Sequence, residues 1–428
     1  MNQLNIIYDC FKKATGVSTD TRKIEPGQIF FALKGPNFNA NKMAKEALEK
    51  GASFAVIDDP DYKYDNRCLL VDDVLTTLQK LANHHRRQFN IPVLAITGSN
   101  GKTTTKELVQ GVLAQKYNTL ATSGNLNNHI GVPLTLLRLN ETTEMAIVEM
   151  GANKIGDIKE LTEIAEPTHG IITNIGKAHL EGFGGFEGVL RAKTELFDFL
   201  KNQNGTVFIN TANPVLSNLT KRFAEPVLYP QKGDFLHVSL INANPVVVYQ
   251  DENGEQVATQ MTGKYNFDNI VTALCIGKYF EVEAEKANQA VSAYQPSNNR
   301  SQVIKKGSTT IYLDAYNANP TSMANALENF NELKAEKKVV ILGDMYELGS
   351  ESEAEHVELG KYACKLKFDL IIFIGKHVAA SHQACPNSLY FESKEKFEEN
   401  FTINDLNNSF ILIKASRGMA LETLTDKF

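Results

Sequence analysis

The sequence predicts an α/β protein of three domains. These are a small mixed α/β domain over residues 1–88, a central P-loop parallel-sheet domain over 89–296, and a doubly wound, Rossmann-like domain over 297–428. Three observations predict it. A chain of 428 residues is long enough for about three domains at roughly 150 residues each. Short apolar runs alternate with helical patterns along most of its length, as in a parallel sheet with helices on both faces. A glycine-rich turn, TGSNGKTTT (97–105), stands between one such run and a helical pattern.

The elements follow in order. QIFFAL (28–33) reads as a strand ending in the turn KGPN, and a helical pattern at 41–50 leads to a second strand, SFAVID (53–58). A helix over 72–89 ends before Ile91-Pro92, because the residue preceding proline disfavours helix. IPVLAI (91–96), EMAIVEM (144–150) and GIITNI (170–175) read as buried strands, with helices at 102–116 and 187–201. Residues 226–262, rich in Val, Pro and Asn, read as antiparallel strands at an edge, and 266–280 as a helix closing the domain. From near Pro296 the strands are TIYLDA (310–315), KVVILGD (338–344), DLIIFIG (369–375) and SFILIKAS (409–416). One of the helices between them opens at Asn319-Pro320, since proline fits the first helical turn.

Composition narrows the class. Apolar residues make up 43% and charged residues 22%, ordinary values for a globular chain. A net charge of -6 argues against a nucleic-acid or anionic-membrane surface. No apolar run approaches the ~20 residues that span a bilayer. The start, MNQLNIIYDCFKKATG, lacks the basic flank and long apolar run of a signal peptide. Cys10, Cys68, Cys275, Cys364 and Cys385 are scattered, odd in number and without metal-like spacing. They are expected to be buried or free thiols in a reducing compartment. The expectation is a cytoplasmic protein that neither binds nucleic acid nor inserts into a membrane.

The strongest chemical signal is the turn at 97–105. Phosphate loops need a strand before and a helix after, so that backbone N–H groups and the helix N-terminus point at the anion. Lys102 would reach the β- and γ-phosphates and Thr103 would place its hydroxyl on Mg2+, while Gly98 and Gly101 permit backbone conformations closed to other residues. Ile96 stands where the usual pattern has its first glycine. The alternative is a Gly-Asn turn into a capped helix. A phosphate loop alone leaves kinase, hydrolase and ligase open.

Three further residues are candidates on chemical grounds. Glu149 ends an apolar strand two residues before Gly151, where α/β sheets place binding residues, and its carboxylate could hold Mg2+. His179, in NIGKAHLEGFGG, follows another strand and could be a ligand. Lys193, in RAKTELF, falls on a predicted helix. Taken alone, each also reads as a solvated polar residue at a strand end, in a loop or on a helix face.

Ten motifs together resemble the Mur ligase family of peptidoglycan synthesis, over essentially the whole chain. They are STDTR (18–22), GQIFFALKG (27–35), TGSNGKTTTKE (97–107), GNLNNHIGVPLTLL (124–137), EMGA (149–152), NIGKAHLEGFG (174–184), AKTELF (192–197), DAYNANPTSM (314–323), LGDMYELG (342–349) and KASRGMALE (414–422). The last three point to the branch that joins D-alanyl-D-alanine to UDP-N-acetylmuramoyl-tripeptide. The resemblance implies an ATP-dependent amide ligase with two Mg2+ ions and a lysine carbamylated by carbon dioxide; a monomer is expected, though the sequence leaves the oligomeric state open.

It also implies roles. Lys102 and Thr103 would handle ATP phosphates and Mg2+, with Gly98, Asn100, Gly101 and Thr104 completing the loop. Glu149 and His179 would bind the second Mg2+, and Lys193 would carry the carbamate. Asn269 would face the adenine, and Arg300, Asp314, Tyr316 and Asn317 would close on ATP from the third domain. Asp20 and Arg22 would hold the uridine nucleotide, while Asn127, Asn128 and Asn319 would contact substrate. Lys102, His179, Lys193 and Arg300 form the expected catalytic set. Two departures stand out: PNFNANKM follows GQIFFALKG where the family usually shows Asp-Gly-His, and Ala415 replaces a usual glycine.

Such a ligase activates a carboxylate as an acyl phosphate and lets an amine attack it, so positioning and charge neutralisation are the protein's main tasks. The rivals are a phosphotransferase, which needs no amine, and a P-loop switch, which hydrolyses ATP alone.

Overall fold

The computed structural model describes residues 3–296 and 299–428, so the expected start of the third domain at 297 lies outside the described residues. Three main sheets follow one another along the chain. The first is four-stranded and parallel, in the order Val17–Ser18, Ile29–Phe31, Phe54–Ile57, Cys68–Leu70. Its strand Ile29–Phe31 is buried on both faces, which explains an apolar run without alternation.

The central sheet has six parallel strands in the order Val227–Tyr229, Thr206–Asn210, His169–Ile172, Val93–Thr97, Met145–Glu149, Thr119–Ala121. The chain leaves Val93–Thr97 toward one edge and later returns to pair on its other side. The carboxyl end of that strand is therefore a crevice where connections diverge. The third sheet also has six strands, ordered Gln302–Lys306, Thr309–Leu313, Phe410–Lys414, Lys338–Gly343, Leu370–Ile374, Leu389–Phe391. Only the first pair is antiparallel.

Three expectations are corrected. The strand expected at 170–175 ends at Ile172. The stretch 226–262 divides: Val227–Tyr229 extends the parallel sheet, and Ser239–Asn242, Val248–Gln250 and Gln256–Ala258 form a separate antiparallel sheet. The thiols are not all free, because Cys364 and Cys385 form a disulfide with Cα atoms 5.5 Å apart. Cys10, Cys68 and Cys275 remain unpaired. No helix among the described residues is long and apolar enough to cross a membrane.

The helix expected to open at Asn319-Pro320 runs Pro320–Glu332, with a reciprocal capping box between Asn319 and Ser322. Its start and the phosphate loop meet across the gap between the two large sheets: Asn319 Nδ2 donates to Asn100 Oδ1 at 2.7 Å.

Candidate active site

The loop after Val93–Thr97 turns through Gly98 at φ +144° and Gly101 at φ +79°. A Cβ at Gly98 would lie 2.0 Å from Thr173 Oγ1, and one at Gly101 would lie 2.6 Å from Asn269 Oδ1. Both positions need glycine for dihedral and for space. The peptide at Asn100 is held on both sides. Its N–H donates to Asn174 Oδ1 at 3.1 Å, and its carbonyl accepts from Thr173 Oγ1 at 2.6 Å and from Asn174 Nδ2 at 2.9 Å. The helix Lys102–Leu113 therefore begins with unsatisfied N–H groups at a fixed place, an anion site. Lys102 Nζ folds back to donate to Gly98 O at 2.7 Å and Ser99 O at 3.2 Å. Burial pushes its ammonium below the ordinary lysine value, with Glu149 opposing and Arg300 reinforcing that shift.

Glu149, 1% exposed, ends the neighbouring strand. Its Oε1 accepts from Thr103 Oγ1 at 3.2 Å and from Asn127 Nδ2 at 2.8 Å, and its Oε2 is buried with no partner. An orphaned carboxylate oxygen beside the loop threonine fits Mg2+, which binds through one or two carboxylates and phosphate oxygens. Among the described residues no three His, Cys, Asp or Glu side chains form a self-sufficient metal cage. His179 sits in the left-handed region at φ +51° with Nδ1 against the Glu347 carboxylate.

Lys193 is on the helix Phe186–Asn202 and 1% exposed. Its Nζ stands 5.3 Å from the centre of the Phe183 ring, and it has no hydrogen bond or ion pair among the described residues. Burial, then Lys102, pushes its ammonium well below the ordinary lysine value.

The third sheet faces this assembly with its own strand ends. Asp314 Oδ2 accepts from Lys414 Nζ at 2.6 Å, and Lys414 also reaches Asn317 O at 3.2 Å. The Arg300 guanidinium lies 3.5 Å from the Tyr316 ring centre and that of Arg417 lies 4.9 Å away. Arg300 Nε is buried without a partner. The two sides enclose a cavity of about 900 Å³. A second cavity of about 410 Å³ shares Thr103, Arg300 and Tyr316 with the first and adds Arg417.

The structure brings most predicted site residues to the larger cavity. Asn100, Gly101, Lys102, Thr103 and Thr104 line it with Asn127, Asn128, Glu149 and His179 from the central sheet, as do Asn269 and the third region's Arg300, Asp314, Tyr316 and Asn317. Some of these are already engaged. Asn128 Oδ1 accepts from the N–H groups of Ile130 and Gly131, and Asn269 Oδ1 accepts from Thr105 Oγ1 at 3.0 Å.

Five predicted residues lie elsewhere. Asp20 and Arg22 are off the cavity and bond each other: Arg22 Nε and Nη2 donate to the Asp20 carboxylate at 2.9 and 2.8 Å. Two residues apart at a tight turn, they satisfy each other locally. Asn319 is a helix cap and a bridge to Asn100 rather than a cavity wall, and Gly98 underlies the loop. Lys193 does not line the cavity, and its Nζ packs over the Phe183 ring. Sequence reasoning missed Lys414, Asn174, Glu347 and Arg417. Lys414 and Asn174 each follow or end a recognised strand, so position at a strand's carboxyl end was the available signal.

Known proteins carry the same organisation. Residues 96–277 match the Mur ligase middle domain and 299–417 the Mur ligase, glutamate ligase domain. A UDP-N-acetylmuramoyl-tripeptide–D-alanyl-D-alanine ligase of Bacillus subtilis is 34% identical over 96% of this chain and 92% of its own. The crystal structure of MurF from Acinetobacter baumannii superposes with a TM-score of 0.89 at 29% identity, covering 99% of this chain and 97% of that one. MurF ligase from Thermotoga maritima in complex with ADP gives 0.85 at 26% identity, covering 98% of both. Two family domains together span most of the chain and a relative at 34% identity covers 96% of it, so the chain belongs to the Mur ligase family.

Proposed function

We infer that the protein joins D-alanyl-D-alanine to UDP-N-acetylmuramoyl-tripeptide, using ATP and releasing ADP and phosphate. The observation that carries this reading is the larger cavity, where a phosphate loop and an unpaired strand-end carboxylate face the cations of a second α/β sheet. Near-full-length similarity to ligases of that name supplies the substrates.

The tripeptide's terminal carboxylate oxygen attacks the γ-phosphorus, the bond to the β-phosphate oxygen breaks, and ADP leaves. The dipeptide amine then attacks the acyl carbon. The tetrahedral adduct loses phosphate, and the nitrogen gives up its proton. Lys102 shifts from the loop carbonyls to the β- and γ-phosphates, and Arg300, whose Nε lacks a partner, adds charge from the third region. Asp314 and Asn317, braced by Lys414, contact the nucleotide. Enclosure between two sheets excludes water while the acyl phosphate waits.

Mg2+ would be held by Thr103, Glu149 and His179, two ions in all, and would neutralise phosphate charge. Lys193 acts as a carbamate. A neutral amine adds to carbon dioxide and releases a proton, giving an anion with two hard oxygens in place of a cation. A buried lysine without a bonding partner, beside Lys102, supports that state. Residues 1–88 carry the UDP substrate, 89–296 the ATP, and 297–428 the incoming dipeptide.

Phosphate release tests the reading. It should require both UDP-N-acetylmuramoyl-tripeptide and D-alanyl-D-alanine. Release with ATP alone, or a phosphorylated product without the amine, would replace it with a hydrolase or a phosphotransferase.

A further inference from the structure

Two non-glycine residues in left-handed backbone meet across the gap between the central and third regions. His179 has φ +51° and Glu347 has φ +63°. Outside glycine this conformation costs roughly 1–2 kcal/mol and persists where the surroundings over-determine it.

The surroundings here do so on both sides. The His179 carbonyl accepts from Gly182 N at 3.1 Å and Phe183 N at 3.2 Å, and the Glu347 carbonyl accepts from Glu181 N at 3.2 Å. Flanking Glu347, Tyr346 N donates to Ser416 Oγ at 2.9 Å and Leu348 is buried. A Cβ on Gly182 would meet Asn153 O at 2.0 Å, so the turn carrying His179 cannot relax toward that side. The result sets Nδ1 of His179 against Oε2 of Glu347.

An imidazole that binds a metal through one nitrogen is oriented by what the other nitrogen donates to, commonly a carboxylate. Nδ1 touches the Glu347 carboxylate as an ion-pair contact whose N–H is not yet aligned as a hydrogen bond; a proton on that nitrogen leaves Nε2 unprotonated, and His179 lines the larger cavity. We propose that Glu347 is the positioning residue for His179: it fixes the ring and its tautomer from the third region, so that the metal site is complete only while that region is docked. This rests on the reading of His179 as a Mg2+ ligand.

Its consequence is directional. The third region would add to metal affinity without contributing a ligand, and metal would stabilise docking by the same factor, since coupling between two binding events is reciprocal.

The test uses the full chain with Mn2+ as the probe, followed by electron paramagnetic resonance in the presence of a non-hydrolysable ATP analogue. Glu347→Ala should weaken Mn2+ binding about 10-fold, the lower end of what outer-shell partners of metal-bound histidines contribute. Glu347→Gln, whose Oε1 still accepts from Nδ1–H, should recover most of the loss. The double variant Glu347→Ala/His179→Ala should bind no more weakly than His179→Ala alone, because Glu347 acts through the ring. Additive losses would overturn the proposal, and so would wild-type Mn2+ affinity in a folded Glu347→Ala beside a weakened His179→Ala. If His179→Ala itself bound Mn2+ normally, the metal reading would fail first, a distinguishable result. Glu347 is largely exposed, so loss of fold is not expected, and thermal melting checks it.

Discussion

Asn319 performs two tasks that can be separated by substitution. Its Oδ1 caps the helix Pro320–Glu332 by accepting from Ser322 N at 2.9 Å, and its Nδ2 donates to Asn100 Oδ1 at 2.7 Å. Loss of an N-cap costs about 1 kcal/mol. Loss of one neutral hydrogen bond costs roughly 0.5–1.5 kcal/mol. Asn319→Ala removes both contributions, about 2 kcal/mol in all. Asn319→Ser keeps a good capping oxygen but is too short to reach the phosphate loop.

The backbone of Asn100 stays pinned by Thr173 and Asn174, so the serine variant loses only the link between third region and loop. About 1 kcal/mol of lost docking corresponds to roughly a 5-fold fall in kcat/KM for ATP. Urea denaturation should rank the variants wild type, Ser, Ala, with Ala about 1 kcal/mol below Ser. Steady-state kinetics should show Ser and Ala reduced alike. Wild-type kcat/KM in Asn319→Ser would refute the bridge, and equal stability of Ser and Ala would refute the cap.

Lys102→Ala should lose two or more orders of magnitude in kcat while melting normally, since the lysine's present partners are two exchangeable loop carbonyls; near wild-type turnover would sink the phosphate-loop assignment. Lys193→Ala should be inactive and partly restored by acetate, whereas Lys193→Arg should stay inactive because it keeps the wrong charge; an active arginine variant would count against the carbamate. Gly98→Ala should destabilise the protein by more than 2 kcal/mol in chemical denaturation, because its Cβ would sit 2.0 Å from Thr173 Oγ1 at a positive φ, and a loss below 1 kcal/mol would show that the loop gives way.

What the sequence revealed was what is local. The phosphate loop was legible because strand, glycine turn, Lys102 and helix are contiguous, and the helix at Asn319-Pro320 because its cap and its proline are adjacent. Contacts made at a distance left no trace. Cys364 and Cys385 pair across 21 residues between two helices, with nothing in either neighbourhood to announce it. Val227–Tyr229 joins the parallel sheet through pairing with Phe208–Asn210, a choice composition does not encode. The strand Gln302–Lys306 escaped notice because a short, polar edge strand has little apolar signal. Asp20 and Arg22 show another limit of local reading: a motif implies ligand contacts, and the turn also lets two complementary charges two residues apart bond each other.

Both interfaces of the central region join one buried apolar cluster, and the third region adds polar pairs at the edge of the nucleotide cavity. The first region docks through the helix Val74–Arg86, whose Leu78, Leu81 and Ala82 share one buried apolar cluster with Leu136, Leu161 and Ile164. Arg86 Nε and Asn83 Nδ2 add bonds to the carbonyls of Ala165 at 3.2 Å and Ile164 at 3.0 Å. Each fully buried leucine stabilises by roughly 1.5–3 kcal/mol, and nothing in water replaces that when the surfaces part. The third region shares that cluster through Ala318, Met323 and Leu348, and it also meets the central one through polar pairs: Asn319 with Asn100, Glu355 with Lys177, Glu347 with His179, and the Tyr312 hydroxyl accepting from Thr262 Oγ1 at 2.8 Å. Water can take over most of such a bond, so each holds the region by about 1 kcal/mol or less. Two of these pairs, at Asn100 and His179, sit on residues that line the nucleotide cavity. An enzyme that must admit three substrates and then keep water from an acyl phosphate gains from that placement: ligands that touch both sheets draw the third region against the loop, because the polar pairs nearest the nucleotide are the ones water can replace.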